Sequence, residues 1–382
     1  MTTTAPTTPW LSAFVALKQD KLFWVLVAVL VALAAAQPQK IASYPGLVDW
    51  PTIAALAGLL VLTQAVEASG ALARLGRWMI ARMSSERVAA LWLVSAAALL
   101  STVLTNDVAL FVTVPLTLGL CRLTPLPATR LIVFEALAVN AGSALTPIGN
   151  PQNLFLWQLS GASFAEFTLH MAPLVAVLMG LLLALTALVF RGAPLKVEDP
   201  EAAPAIDRTL LWVALALYGP FLWVTDRGDA AWGYAAVTAV LLLLRPRVLA
   251  RVDWCLLLVF VLMFIDLRLI AELGAVKRLM DELGLADPLR LYAVGIAASQ
   301  LVSNVPAAIA LAEYSRDWRV MAYALNVGGF GFIVGSLANL IALRLARDPR
   351  AWLSFHLYSL PFLMAATAVG YGLLFVLHFA GP

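Results

Sequence analysis

Four short polar stretches interrupt this apolar chain of 382 residues. Two are compact, Thr105-Asn106-Asp107 and Ser303-Asn304; two are longer, "NAGSALTPIGNPQN" at 140–153 and "NVGGFGFIVGSLAN" at 326–339. Their side chains are mostly amides and hydroxyls, which bind by donating and accepting hydrogen bonds. The candidate ligands are Thr105, Asn106, Asp107, Thr146, Asn150, Asn153, Ser303, Asn304, Ser336 and Asn339. Gly142, Gly149, Gly328, Gly329 and Gly335, with the prolines among them, permit the backbone to leave a helix at these points. Unwound carbonyls can hold a cation, and the positive ends of half-helices, with Asn, Ser and Thr side chains, can hold an anion. The chemistry on offer is reversible ion binding.

Asp107 adds a group that can exchange a proton. A carboxylate at the centre of a bilayer costs roughly 2.5–3.5 kcal/mol, so it is usually paired, cavity-facing or functional. Glu135 and Asp266 are weaker candidates; Asp266 lies two residues from Arg268 and reads as half of an interfacial ion pair. His170 and His356 fall at expected loop–helix junctions, where solvation or capping accounts for them. Taken singly, each polar residue could serve close packing and interhelical hydrogen bonds. Four breaks in a matched pattern favour one shared site.

The elements that must position these residues follow from composition. The chain is 62% hydrophobic and 12% charged, with mean hydropathy +0.91, whereas soluble domains run near about 25% charged. This is an all-α polytopic membrane protein by composition, and its first partner is the lipid bilayer. The net charge of +3 comes from loop Arg and Lys and points to membrane topology, with no nucleic acid as partner. Cys121 and Cys255 suggest neither a disulfide framework nor a metal site. The absence of a Walker loop, a His-Glu-x-x-His motif or a catalytic dyad argues against an enzyme, and nothing suggests a cofactor.

Nine full spans are expected, at 22–37, 51–68, 129–160, 170–190, 209–225, 231–244, 254–270, 320–346 and 352–378, with re-entrant hairpins at 88–120 and 291–314. The stretch 129–160 is too long for one straight helix, and its Gly-, Pro- and Asn-rich middle predicts a break. With the N-terminus in the cytoplasm, most of the 25 Lys and Arg fall inside. The expected address is therefore the cytoplasmic (inner) membrane. Residues 71–83, "ALARLGRWMIARM", predict an amphipathic interfacial helix.

The halves match in blocks. "VDW" at 48–50 recurs at 252–254, Asn106 falls near Asn304, and at an offset of 186 Asn140, Gly142, Gly149 and Asn153 meet Asn326, Gly328, Gly335 and Asn339. The span at 209–225 lies between the copies and would invert the second. The expected organisation is a cytoplasmic segment 1–21, a first transmembrane repeat 22–190, a loop and linker span 191–230, and a second repeat 231–382, each repeat with a re-entrant hairpin and a broken helix.

With these residues in view, the chain resembles the ion-transporter superfamily of arsenite permeases, citrate-transporter-like permeases, divalent anion/sodium symporters and a class of sodium/proton antiporters. "TNDVALFVTVPL" resembles the hairpin-tip motif of the arsenite-permease branch, and "SALTPIGNPQNLF" resembles the broken-helix motif that ends in Pro-x-Asn. "SNVPAAI" and "GSLANLIAL" resemble the second-repeat counterparts. In the divalent anion/sodium symporters each tip reads Ser-Asn-Thr; here the third positions are Asp107 and Val305, which points away from sodium-coupled dicarboxylate transport and toward a proton. The resemblance implies two inverted repeats moving by an elevator-like or rocking step, with a homodimer among the assemblies it allows. The expected function is secondary active transport of a small anion or oxyanion with a coupling ion, H+ or Na+. The alternatives are a cation/proton antiporter on the same scaffold and, behind it, a channel.

Overall fold

A computed structural model of the chain describes residues 21–80, 83–124, 126–194, 205–346, 348 and 350–379. The expected N-terminal segment up to residue 20, loop residues 195–204, and the basic residues Lys18, Arg82, Lys196 and Arg347 lie outside the described residues. Apart from one isolated bridge between Ser85 and Pro194, every regular element among the described residues is helical. Those of eight residues or more are, in chain order, α1 (Lys21–Ala36), α2 (Trp50–Ala68), α3 (Ala71–Ile80), α4 (Glu86–Val103), α5 (Asn106–Leu123), α6 (Ala128–Ser143), α7 (Pro151–Ser160), α8 (Phe164–Val189) and α9 (Arg208–Asp226). They continue as α10 (Ala230–Leu244), α11 (Trp254–Ala271), α12 (Gly274–Leu283), α13 (Pro288–Val302), α14 (Asn304–Leu311), α15 (Trp318–Val327), α16 (Leu337–Ala346) and α17 (Ala351–Phe379).

The protein is an all-α polytopic membrane protein. Six described helices are long and apolar enough to cross a bilayer: α2, α4, α8, α9, α11 and α17. After α1 the chain bends by 118° into a short helical segment ending at Leu47. The stretch expected at 129–160 is α6 and α7, separated at 144–150, and the one at 320–346 is α15 and α16, separated by irregular backbone and a 3-10 turn, Ile333–Gly335. The amphipathic segment forms α3, Ala71–Ile80.

Helix starts carry local signals. Asp49 accepts from Thr52 N at 3.0 Å to cap α2, and Asp253 accepts from Cys255 N and Leu256 N at 3.1 and 3.2 Å to cap α11. In both copies of "VDW" the indole N–H reaches the carbonyl five residues earlier, Trp50 to Pro45 O at 2.9 Å and Trp254 to Leu249 O at 3.0 Å. The repeated tripeptide is thus the same start signal used twice. Ser163, whose hydroxyl oxygen accepts from Glu166 N at 3.1 Å, starts α8 well before its apolar run. His170 therefore sits inside α8, and His356 inside α17, and neither is at the loop–helix junction expected.

The chain divides into two compact units, each drawing on both halves of the sequence. One comprises residues up to Ser69 and Arg208–Met280. In it α2 packs against α9, α10 and α11, and the Phe221 ring fills the space over Gly58 and Gly233. Asp266 in α11 is 1% exposed. Its carboxyl oxygens have no hydrogen-bond partner among the described residues, while Arg268 donates to Leu47 O at 2.8 Å. The interfacial Asp266–Arg268 pair expected from proximity is corrected: positions i and i+2 of a helix do not face each other.

The other unit comprises Gly70–Asp207 and the chain from Asp281 onward. Its element order runs twice as hairpin (α4–α5, then α13–α14), broken pair (α6–α7, then α15–α16) and long helix (α8, then α17). All ten candidate ligands lie in this unit.

Candidate functional site: two hairpin tips against two broken helices

Each hairpin turns at its polar tip. In the first, Leu104 and Thr105 are extended, and Asn106 opens α5. In the second the turn is a single residue, Ser303, with φ 75° and ψ 156°, and it is the one non-glycine residue with positive φ among the described residues. Such a conformation is costly for a residue with a Cβ and persists where surroundings enforce it, commonly at functional sites.

The first tip seats on the first break. Asn106 N donates to Gly149 O at 2.8 Å, and Thr146 Oγ1 donates to Thr102 O at 2.5 Å. A Cβ on Gly142 would stand 2.2 Å from Ala98 O, so only glycine lets α6 approach α4 this closely. The second tip meets the second break in a comparable way. Gln300, four residues before Asn304, donates to Gly328 O at 2.6 Å and accepts from Phe332 N at 2.8 Å.

The two breaks are joined by asparagines. Asn140 Nδ2 donates to Asn339 Oδ1 at 2.7 Å and to Ala136 O at 3.0 Å. With each residue exchanged for its counterpart 186 positions away, the same pair of bonds recurs: Asn326 Nδ2 donates to Asn153 Oδ1 at 2.7 Å, and to Ala322 O at 2.7 Å. Asn153 Nδ2 also reaches the carbonyls of Ser143, Ala144 and Thr146 at 3.4, 3.2 and 3.1 Å, and Asn339 Nδ2 reaches Gly329 O at 3.0 Å. These amides satisfy carbonyls that the broken helices leave without an i+4 donor.

The correspondence fails at Asn150. Asn150 caps α7 by accepting from Asn153 N at 2.9 Å and donates to Ser143 Oγ at 3.1 Å and Asn326 Oδ1 at 3.0 Å. Its counterpart is Ser336, whose shorter side chain leaves Oγ buried without a hydrogen-bond partner. Asn304 Nδ2 is likewise buried and has no partner among the described residues. A Cβ added to Gly329 would stand 3.4 Å from Asn140 Oδ1 and 3.5 Å from Asn304 Nδ2, so the bare glycine keeps the space between those two amides. Asp107 occupies the first turn of α5, half-buried, and its N–H donates to Asn106 Oδ1 at 3.0 Å. A carboxylate there interacts favourably with the positive helix end.

The family follows from comparison. A family model described as a citrate transporter matches residues 14–328. The chain belongs to the citrate-transporter family. Inner membrane protein YbiR of Escherichia coli is 47% identical over 361 residues, covering 94% of this chain and 97% of that protein. An uncharacterized transporter of Methanocaldococcus jannaschii is 32% identical over 303 residues, 78% of this chain and 82% of its own length. The arsB protein of Dictyostelium discoideum, a transporter by name, is 25% identical over 34% of this chain and 23% of its own. This citrate-transporter-family member is a membrane transporter and not an enzyme; its substrate is a small molecule and its surroundings are lipid.

Within that family frame, the structure brings Asn106, Thr146, Asn150, Asn153, Asn304 and Asn339 onto the tips and breaks through the contacts above. Thr105 is buried at the α5 start, but its hydroxyl makes no capping bond. Sequence reasoning passed over Asn140 and Asn326 as ligands although their repeat match was visible. It also missed Gln300 and Ser143, whose roles depend on which carbonyls a neighbouring break exposes. The available signal was position: Thr102 and Gln300 both stand four residues before the tip asparagines.

Proposed function

We propose that this transporter moves a small anion or oxyanion, arsenite- or carboxylate-like, by secondary active transport coupled to protons through Asp107. The observation that carries the reading is the pair of buried donors without partners, Asn304 Nδ2 and Ser336 Oγ. An unsatisfied buried polar group costs about 1–3 kcal/mol, and an anion with several acceptor oxygens completes both. The ten candidate ligands form the binding region, with the tip asparagines Asn106 and Asn304 as its symmetric core. The matched breaks support two inverted repeats spanning 22–190 and 231–382, with alternating access by an elevator-like or rocking step in a monomer or a homodimer; the distribution of Lys and Arg along the chain supports a cytoplasmic N-terminus and two re-entrant hairpins.

One observation favours a second reading. Gln152 Oε1 is a buried acceptor without a partner, as a cation/proton antiporter would use. A thermal-shift screen of the purified protein over arsenite, sulfate, citrate, succinate and sodium separates the two. The expected result is stabilisation by an anion, about 2.7 kcal/mol at about 100 times Kd, abolished by Asn304→Ala and by Ser336→Ala. Stabilisation by sodium alone, indifferent to both substitutions, would replace the first reading with the second.

A further inference from the structure

One buried acid stands outside this constellation. Glu135, in the middle of α6, is fully enclosed at 0% exposure. Its Oε1 accepts a hydrogen bond from Thr117 Oγ1 of α5, and its Oε2 has no partner among the described residues. Thr113, one turn from Thr117 toward the hairpin tip, is 1% exposed, and its Oγ1 is also unpartnered. Thr113 and Thr117, at i and i+4, share one face of α5. An enclosed carboxylate needs a compensating charge or a proton, because a low-dielectric interior leaves a bare charge unstabilised.

The surrounding groups supply no such charge. From α5, Cys121 lies within electrostatic range, half-buried. From α17, Tyr358 places its ring 5.0 Å from that of Phe134, the residue beside Glu135. Arg87 of α4 donates to Phe190 O at 3.1 Å. Glu166 of α8 pairs with Arg319 at 2.7 Å, and His170 contacts Arg319 O at 3.2 Å. Arg344, in the last turn of α16, makes no hydrogen bond or ion pair with Glu135, nor does any other described residue except Thr117.

We propose that Glu135, with the hydroxyls of Thr113 and Thr117, is a cation-exchange site at which a proton or a sodium ion binds Oε2 and leaves again during transport. In the proton form an O–H bond forms on Oε2 and no other covalent bond changes; in the sodium form the ion takes Oε2 and Thr113 Oγ1 as ligands. The site communicates with the asparagine network through its own helix. Asn140 lies five residues on, about 7.5 Å along the axis, and its Nδ2 bonds Ala136 O, the carbonyl next to Glu135. Nothing in this assignment depends on which ion the hairpin tips hold.

Infrared difference spectroscopy of the purified protein tests it without a transport substrate. The protonated-carboxyl band is followed from mildly acidic to alkaline buffer, and then at constant pH with sodium chloride against choline chloride. The expected result is a band that bleaches on alkalinisation and is lost in Glu135→Gln, which retains the acceptor for Thr117. Bleaching by sodium at constant pH identifies sodium as an occupant; bleaching by pH alone identifies the proton as sole occupant. Should Glu135→Gln fail to fold, Thr117→Val removes the hydrogen bond to Oε1 and must shift the same band. A band that responds to neither pH nor sodium, one that persists in Glu135→Gln or is unmoved in Thr117→Val, or no titrating band at all, overturns the proposal.

Discussion

The asparagines at the breaks divide by what they already bond. Asn153 has all its polar atoms engaged, three carbonyls on Nδ2 and Asn326 on Oδ1. Asn153→Ala strands those groups in a buried site, so we expect a loss of about 2–4 kcal/mol of stability, read as a large fall in Tm. Asn304 differs, because its Nδ2 bonds nothing. Asn304→Ala removes an unsatisfied donor, and Tm should hold or rise while transport is lost. A fall in Tm as deep as that of Asn153→Ala would mark Asn304 as a structural amide. Asp107→Asn tests a third role. It keeps the shape and the favourable place at the start of α5 but removes the exchangeable proton. Accumulation driven by a pH gradient should vanish in vesicles while exchange of substrate across the membrane continues. Normal accumulation would leave Asp107 as no more than a helix-start residue.

At the level of elements, the hairpins and broken helices form one mechanical set because glycine lets them touch. Gly142 faces Ala98 O of α4 at a separation that no Cβ can share. Gly142→Ala must push the first hairpin off its break, at about 1–3 kcal/mol from overpacking. Gly119, within α5, has nothing within 4 Å of its would-be Cβ. Gly119→Ala should be neutral or stabilising by up to about 1 kcal/mol, the ordinary helix preference for alanine. Paired thermal denaturation reads the contrast, and equal Tm values for the two variants would remove the close approach as a requirement. Helix α6 also joins two charged events. A bare carboxylate at Glu135 and an anion near Asn140, about 8 Å apart at an effective dielectric near 20, repel by about 2 kcal/mol. That is roughly thirtyfold in affinity. Protonation of Glu135 would then tighten anion binding, the sign a proton–anion symporter requires.

For the whole molecule, the proposed topology rests on charge distribution along the chain. The inverted-repeat count puts the loop before α9 inside and the turn between α9 and α10 outside. In a background lacking Cys121 and Cys255, Asp229→Cys should react with an impermeant thiol reagent added outside, and Ala205→Cys should be spared. The reverse labelling would turn the chain over and dissolve the reading of both hairpins as re-entrant.

The linear sequence by itself determined the class and the places where the stretches at 129–160 and 320–346 break. Those properties are local: apolar runs of membrane length, Asp and Ser caps, and Gly-Pro-Asn clusters that cannot stay helical all act within a turn or two of chain. It also exposed the matched spacing of Asn140, Gly142, Gly149 and Asn153 with Asn326, Gly328, Gly335 and Asn339. Only the tertiary structure decided which amide meets which. Asn140 finds Asn339, and Asn326 finds Asn153, across separations of 199 and 173 residues, and no periodicity encodes such a pairing. The same holds for Gln300 on the second break and for Asn304 Nδ2, left without a partner among the described residues. Glu135 shows the difference most plainly. In the sequence it is one acid in an apolar helix; only packing against Thr117, with no described cation paired to it, turns it into an enclosed carboxyl whose charge must be balanced, since burial and dielectric belong to the assembled core.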